Sequence, residues 1–420
     1  MKDMADYDAL DAEARRILHL NDRGGYTVPT DGLYPYQWNW DSAFAAFGFA
    51  QFDLDRAWVE LETLMTGQWA SGMVPHILFH QVDDRYFPGP DVWQGVGPIP
   101  SSGITQPAVA AIFARLIYEQ APEESRDRVM ALWPKLRAWH RWFMDWRTDD
   151  AGAICVTHPW EAGRDNTPEW DAPLKRIDPQ GVGEYTRRDT SHVDPAMRPT
   201  KFDYDRYIWL VNLGASVGWD DAKLKAINPF RVADPTMTFI LLRAHRDLLA
   251  LGEALGCDTA GIADEIAVLE AGARSLWNPE LRCFDARDVV TGDWAGCVSS
   301  ASFLCWGAGI DDAETAAHLD RVMAKVQYGV PSHDPESPRF EPKRYWRGPS
   351  WAIMNYLIGS GLAAMGKPQA DMVRDHTRAA IEHHGFAEYF DPLTGDPAGG
   401  STFTWTAAVW LGWASPNARG

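Results

Sequence analysis

The residues best suited to chemistry in this chain lie in HPWEAGRDNTPEWD, His158 to Asp171. Four carboxylates, Glu161, Asp165, Glu169 and Asp171, are interleaved with the indoles of Trp160 and Trp170. Gly163 and Pro168 mark irregular backbone between helical segments, the setting in which reactive side chains concentrate. An acid held among indole rings is desolvated and keeps its proton near neutral pH, as a proton donor must. The same residues would also suit a solvated acidic loop whose tryptophans tuck into a core. The stretch alone does not choose.

Other segments bear on the choice. In YPYQWNWDSAF, Tyr34 to Phe44, the aromatics Tyr36, Trp38 and Trp40 recur at every second position. Asp41 reads either as the N-cap of the helix that follows or as an acceptor for a sugar hydroxyl. A capping aspartate usually faces solvent rather than following WNW, which favours the acceptor. His76 and His80 are four apart in MVPHILFH, a spacing that holds a metal on a helix. Pro75 interrupts any such helix and no acidic partner is near, so hydrogen-bonding histidines are expected. Gln106 precedes another helix in SSGITQP. Later, RYWRGPSW places Tyr345, Trp346 and Trp351 around a Gly-Pro turn, and FAEYFDPLTGDPAGG sets Glu388 before a glycine-rich loop. Alone, Glu388 would read as a surface glutamate.

These segments punctuate a helical chain. Val129, Leu132, Leu136, Trp139, Phe143 and Trp146 are spaced 3, 4, 3, 4, 3, a buried helical face that Pro134 should kink or begin. Further helices are expected over 5–19, 54–69, 312–326, 350–364, 369–384 and 404–413. Asp234-Pro235 reads as a cap followed by a proline at the first helical position. About a dozen helices and no convincing run of strands suggest antiparallel hairpins closed into a ring, a single all-α domain over 1–420. The polar run 171–204 has no periodicity and is expected to be a lid loop.

Composition narrows the partners. A net charge of −19 argues against nucleic acid or an anionic membrane. The five cysteines are scattered, none in CxxC, and the opening MKDMADYDALDAEARR lacks the apolar core of a signal peptide. No run of 18 apolar residues occurs, so a cytoplasmic protein without a membrane span is expected. Many of the 21 tryptophans lie in Gly/Pro-rich segments beside carboxylates, where walls for stacking a pyranose are expected. A small carbohydrate is the expected partner, with a homo-oligomer left open.

Taken together, YQWNWD, HPWEAGRDN, RYWRGPSW and EYFDP resemble glycoside hydrolase family 63, in particular its mannosylglycerate and glucosylglycerate hydrolases. Family-37 trehalases share a more distant version of the pattern. The resemblance spans about Tyr34 to Trp413. It implies an (α/α)6 barrel with long active-site loops, inversion at the anomeric carbon, Asp165 as general acid and Glu388 as general base. It also implies that Tyr34, Trp38, Trp40, Asp41, Gln106, Trp160, Tyr345, Trp346 and Trp351 line the sugar subsite. His76, Tyr86, Arg198 and Tyr204 would lie near the leaving group, the last two on the lid. Arg164 departs from the pattern, which carries an apolar residue before the acid, and a cation there would lower the pKa of Asp165 unless it points away.

The expected activity is inverting hydrolysis of a small α-glycoside, glucosylglycerate or mannosylglycerate, with no metal or organic cofactor called for. If glycerate is the aglycone, its carboxylate needs a local cation. Arg198 is the candidate, with Tyr86 and Tyr204 as donors, although Arg187 and Arg188 share its stretch. The alternatives are a neutral disaccharide such as trehalose or kojibiose, a sugar isomerase using His76 and His158, and a non-catalytic sugar-binding protein.

Overall fold

Inner helices, two of them buried along their whole length, line a ring, and helices with one apolar stripe wrap it. The computed structural model describes residues 6–418. Its principal helices are α1 (Tyr7–Asn21), α2 (Asn39–Phe49), α3 (Leu54–Thr66), α4 (Ala110–Gln120), α5 (Pro122–Trp146), α6 (Lys201–Ser216), α7 (Pro235–Leu255), α8 (Ile262–Ser275), α9 (Ala313–Met323), α10 (Ala352–Ala364), α11 (Gln369–His384) and α12 (Thr404–Val409). In α2, NWDSAFAAFGF, and in α12, TWTAAV, every residue is buried. A helix with no polar face must be covered on all sides. By contrast α11 buries only Val373, Thr377, Ala380 and Ile381, one stripe at helical spacing.

The inner members contact one another in a closed circuit. α2 packs on α4, α4 on α7, and α7 on a 3-10 segment, Ser302–Trp306. That segment packs on α10, α10 on α12, and α12 returns to α2. Outside them α3, α5, α8, α9, α11 and α1 cover α2, α4, α7, the 3-10 segment, α10 and α12 in turn. Six inner members with six outer helices make an (α/α)6 barrel, in which one inner helix is reduced to a 3-10 run. The strands are pairs of residues that pin loops, such as Gln37–Trp38 against Ile77–Leu78 and Tyr389–Phe390 against Pro397–Ala398.

Several boundaries differ from those expected. Ala5, the expected start of the first helix, lies outside the described residues. Pro122 takes the first position of α5 and the helix runs through Pro134, so that proline is not its start. The expected loop over 171–204 contains helical turns at Asp171–Lys175 and Pro195–Met197, and it ends early. Thr200 caps α6 with a capping box, its hydroxyl bonded to the Asp203 amide and Asp203 bonded back, so Tyr204 belongs to a helix. The last helix passes at Trp410 into a π-helical turn ending at Ala414. Among the described residues no helix is long and apolar enough to cross a membrane.

The seam between the first and last inner helices closes at Gly48. A Cβ there would lie 2.7 Å from Ala408 Cβ and 2.8 Å from its Cα, both on α12. Backbone cannot yield as a side-chain tip can, so Gly48→Ala should destabilise the protein by about 1–3 kcal/mol, the range for overpacking. Denaturant melts of the two proteins measure this. An unchanged midpoint would show that the seam gives way freely.

Candidate active site

The loop carrying Asp165 is built backwards from a buried charge. Cys155–Val156 pairs with Val232–Ala233, which fixes the entry to the loop beside the start of α7. After the 3-10 turn Pro159–Ala162 the chain reverses at Gly163, whose φ of +67° is left-handed. A Cβ there would run into the Trp40 ring, so both conformation and space require glycine. Arg164 then turns away from the cavity and is fully buried. Its Nη1 donates to Glu169 Oε1 and its Nη2 to Asp234 Oδ1, each at 2.7 Å, with the guanidinium 5.4 Å from the Trp170 ring. This is the orientation in which an arginine beside the acid does not suppress its pKa.

Asp165 faces a cavity that it shares with Glu388. Its backbone carbonyl accepts from the Tyr207 hydroxyl at 2.7 Å, and Asn166 next to it accepts from the Trp346 amide at 2.9 Å. Removal from water pushes the Asp165 carboxyl up to about 7, with Arg198 pulling it down and Glu388 and Asp189 adding to the rise. A carboxyl in that range can donate a proton at neutral pH.

Glu388 is fully buried at the head of the Tyr389–Phe390 hairpin, its amide bonded to Gly400 and its carbonyl to the Trp405 indole. Oε1 accepts from the Tyr34 hydroxyl at 3.1 Å and from Arg198 Nη1 at 3.3 Å. Oε2 accepts from Arg198 Nη2 at 2.8 Å and from the Gly400 amide at 3.1 Å. The expected reader of an aglycone carboxylate, Arg198, is thus paired with Glu388, and its guanidinium lies 4.6 Å from the Tyr345 ring. Tyr345 itself adopts a φ of +45°, an uncommon conformation for a non-glycine residue beside a site.

The cavity wall takes in Tyr34, Trp38, Trp40, Asp41, His76, Tyr86, Gln106, Trp160, Arg198, Tyr204 and Tyr345, all anticipated from sequence. Asp41 is not the cap of α2: Trp38 holds that position, and Asp41 is buried inside the first turn. Its Oδ1 is buried with no hydrogen-bond partner among the described residues. Burial, then the nearby Glu388, pushes its pKa well up. Gln106 Oε1 accepts from the Trp40 amide at 3.2 Å, leaving the amide group's nitrogen to the cavity. Two expected wall residues lie elsewhere. Trp346 and Trp351 stack on each other at 3.9 Å and form a layer behind Trp40, fully buried and outside the cavity lining.

The histidines take structural parts. His76 Nδ1 bonds Ser102 Oγ at 2.6 Å, and His80 Nε2 bonds Gln37 at 2.7 Å, so they do not converge on a metal. His158 is held at both nitrogens, by the Trp160 amide and the Tyr207 carbonyl, which leaves no imidazole pair for isomerisation. Glu169, Cys297 and His333 bring three buried metal-ligand types together. Arg164 already bonds Glu169, however, and Arg339 Nη2 lies 3.0 Å from Cys297 Sγ, so two guanidiniums stand where a cation would. Sequence reasoning missed Asp189, Phe403 and Trp405, which also line the cavity. FTWTAAVW carried a signal for two of them, aromatics at the mouth of a helix; Asp189 sits in a charged run with nothing to single it out.

The sequence model of the mannosylglycerate hydrolase MGH1-like glycoside hydrolase domain matches residues 34–406. The chain belongs to this family. A mannosylglycerate hydrolase of Selaginella moellendorffii is 44% identical over 96% of this chain and 85% of its own length. A glucosylglycerate hydrolase of Mycolicibacterium hassiacum is 35% identical over 96% and 97%. The crystal structure of the family-63 mannosylglycerate hydrolase from Thermus thermophilus, in complex with Tris and D-glycerate, superposes with a TM-score of 0.92 at 43% identity, covering 95% of this chain and 98% of that one. Within such a glycoside hydrolase, the raised pKa of Asp165 has two measurable effects. With Asp165 as the proton donor, kcat/KM would fall about tenfold per pH unit above about 7 as its carboxyl loses its proton. Between the unfolded value of 3.8 and about 7 the folded state also holds the extra proton, so this group's contribution to stability declines as pH rises through that window. Asp165→Asn should therefore gain in melting temperature on the parent at pH 8 relative to pH 4. An offset independent of pH would mean that Asp165 titrates normally.

Proposed function

We propose that the protein is an inverting α-glycosidase of mannosylglycerate or glucosylglycerate, with Asp165 as general acid and Glu388 as general base. The observation that carries this is the pairing of unlike carboxyls in one cavity: an acid raised to about 7 and a carboxylate that accepts hydrogen bonds on both oxygens. Asp165 protonates the glycosidic oxygen as the bond to the anomeric carbon breaks. Glu388 takes a proton from the water that attacks the opposite face. Inversion requires carboxyls roughly 6.5–9.5 Å apart to admit that water. Trp38, Trp40 and Trp160 serve as the stacking walls for the sugar, with Asp41 as the acceptor for its hydroxyls. The relatives' named substrates support a glycerate aglycone.

Purified protein offered mannosylglycerate, glucosylglycerate, trehalose and kojibiose should release sugar from a glycerate compound, and proton NMR should find the β-anomer first. Release of the α-anomer would mean retention, and turnover of the disaccharides alone would move the substrate to a neutral glycoside. Asp165→Asn and Glu388→Gln should each lower kcat by about 10²–10⁴-fold while the protein remains folded. Near-normal turnover by either variant would remove that residue from its role.

A further inference from the structure

Every acceptor position of Glu388 is occupied by the protein itself. A carboxylate offers about four lone-pair sites. Here four donors use them: the Tyr34 hydroxyl, the Gly400 amide, and two nitrogens of Arg198. A base that activates water must accept a proton from that water, so one donor has to leave first. The Gly400 amide is main chain, pinned by the bond from the Glu388 amide to the Gly400 carbonyl. Tyr34 reaches Glu388 from a segment packed on Trp38 and Phe403. Arg198 is a side chain on the long connection between α5 and α7, between the Pro195–Met197 turn and α6. It also lines the cavity, and its Nε is buried with no hydrogen-bond partner among the described residues.

We propose that Arg198 is a substrate-released lock on the base, and so the residue that restricts turnover to anionic aglycones. It rests on the function proposed above. A glycosylglycerate brings its own carboxylate into the cavity, and Arg198 exchanges Glu388 for it. One guanidinium–carboxylate pair replaces another, so the exchange costs little. Glu388 then has acceptor positions for the attacking water. Water oxygen bonds to the anomeric carbon as the glycosidic bond breaks; its proton passes to Glu388, and the proton of Asp165 passes to the leaving oxygen. A neutral aglycone has nothing to give Arg198, and parting a buried ion pair without replacement is strongly unfavourable. The exchange also favours the acid, because Arg198 is the charge that pulls Asp165 down, and a substrate carboxylate neutralises it.

The lock differs from ordinary substrate binding in acting on kcat. The test uses the mannosyl or glucosyl series, whichever glycerate compound the unaltered enzyme hydrolyses. Glycosyl fluoride leaves the aglycone position empty. Added D-glycerate should accelerate its hydrolysis by about 5–150-fold, the usual span of coupling between two ligands. The neutral glycosylglycerol should be slower than the glycerate in kcat, not only poorer in KM. In Arg198→Gln, stimulation by glycerate should vanish and the kcat values of the two glycosides should converge, with glycosylglycerol turned over faster than by the parent. Arg198→Lys, which keeps the charge but not the two-pronged contact, should retain part of the stimulation. The proposal is overturned if glycerate only inhibits the parent on the fluoride, or if the neutral glycoside is impaired in KM alone. Turnover of neither glycerate compound would instead defeat the functional reading itself.

Discussion

Arg164 has no solvent around it and sets its charge between two carboxylates from different parts of the chain. Glu169 belongs to the same loop as the acid, and Asp234 caps α7 through the Met237 amide at 3.1 Å. Glu169 also takes the Ser299 hydroxyl at 2.6 Å, beside the 3-10 member of the ring. Burial alone would push Glu169 up, but Arg164, His333 and the hydroxyls of Ser299 and Thr167 outweigh it and hold the carboxyl at about 2. The guanidinium thus joins the Asp165 loop to α7, and Glu169 carries the link on to Ser299 beside the 3-10 member. Buried ion pairs seldom add net stability over apolar packing; removing one partner, however, strands the others at about 3–5 kcal/mol. What the arrangement supplies is position. Asp165 sits next in sequence to a residue held by two buried ion pairs.

From that fixed point the site separates its carboxyls by environment. Asp165 is stripped of water and makes no ion pair among the described residues; Glu388, in the same cavity, is met by four donors. Asp41 is a third case, buried with one oxygen unpartnered and ready for a hydroxyl. The inner helices α2 and α12 begin at this cavity, through Trp38, Trp40, Asp41 and Trp405. Their N-terminal ends present positive partial charge, which suits carboxylates and anions.

Much of this was legible in the sequence, for identifiable reasons. Aromatic residues interleaved with acids mark a cleft because neither type alone explains the other, and eleven of the anticipated wall residues lie there. Helical stripes showed which elements would pack. What local pattern cannot encode is the choice among partners. Trp346 and Trp351 look like wall residues in RYWRGPSW, but they satisfy each other by stacking, a decision made in three dimensions. Arg198 sits in a stretch with four arginines, Arg176, Arg187, Arg188 and itself, and only the fold brings it to Glu388. The end of the polar run was missed for another reason: Thr200 and Asp203 form a capping box, a short signal that outranks the lack of an apolar stripe.

The seam where the ring closes also orders events in time. Tyr34 meets Glu388 across 354 positions, and Asn21 bonds the Thr402 carbonyl and Thr404 hydroxyl across 381 and 383. During synthesis the first half of the cavity wall is made long before the segment that completes it leaves the ribosome. Contacts this distant form late, because the chain entropy of joining them must be overcome first. The nascent chain carries Asp165 without Glu388 for much of its time on the ribosome. Turnover therefore begins only when the barrel has shut, which makes activity itself a gauge of finished molecules.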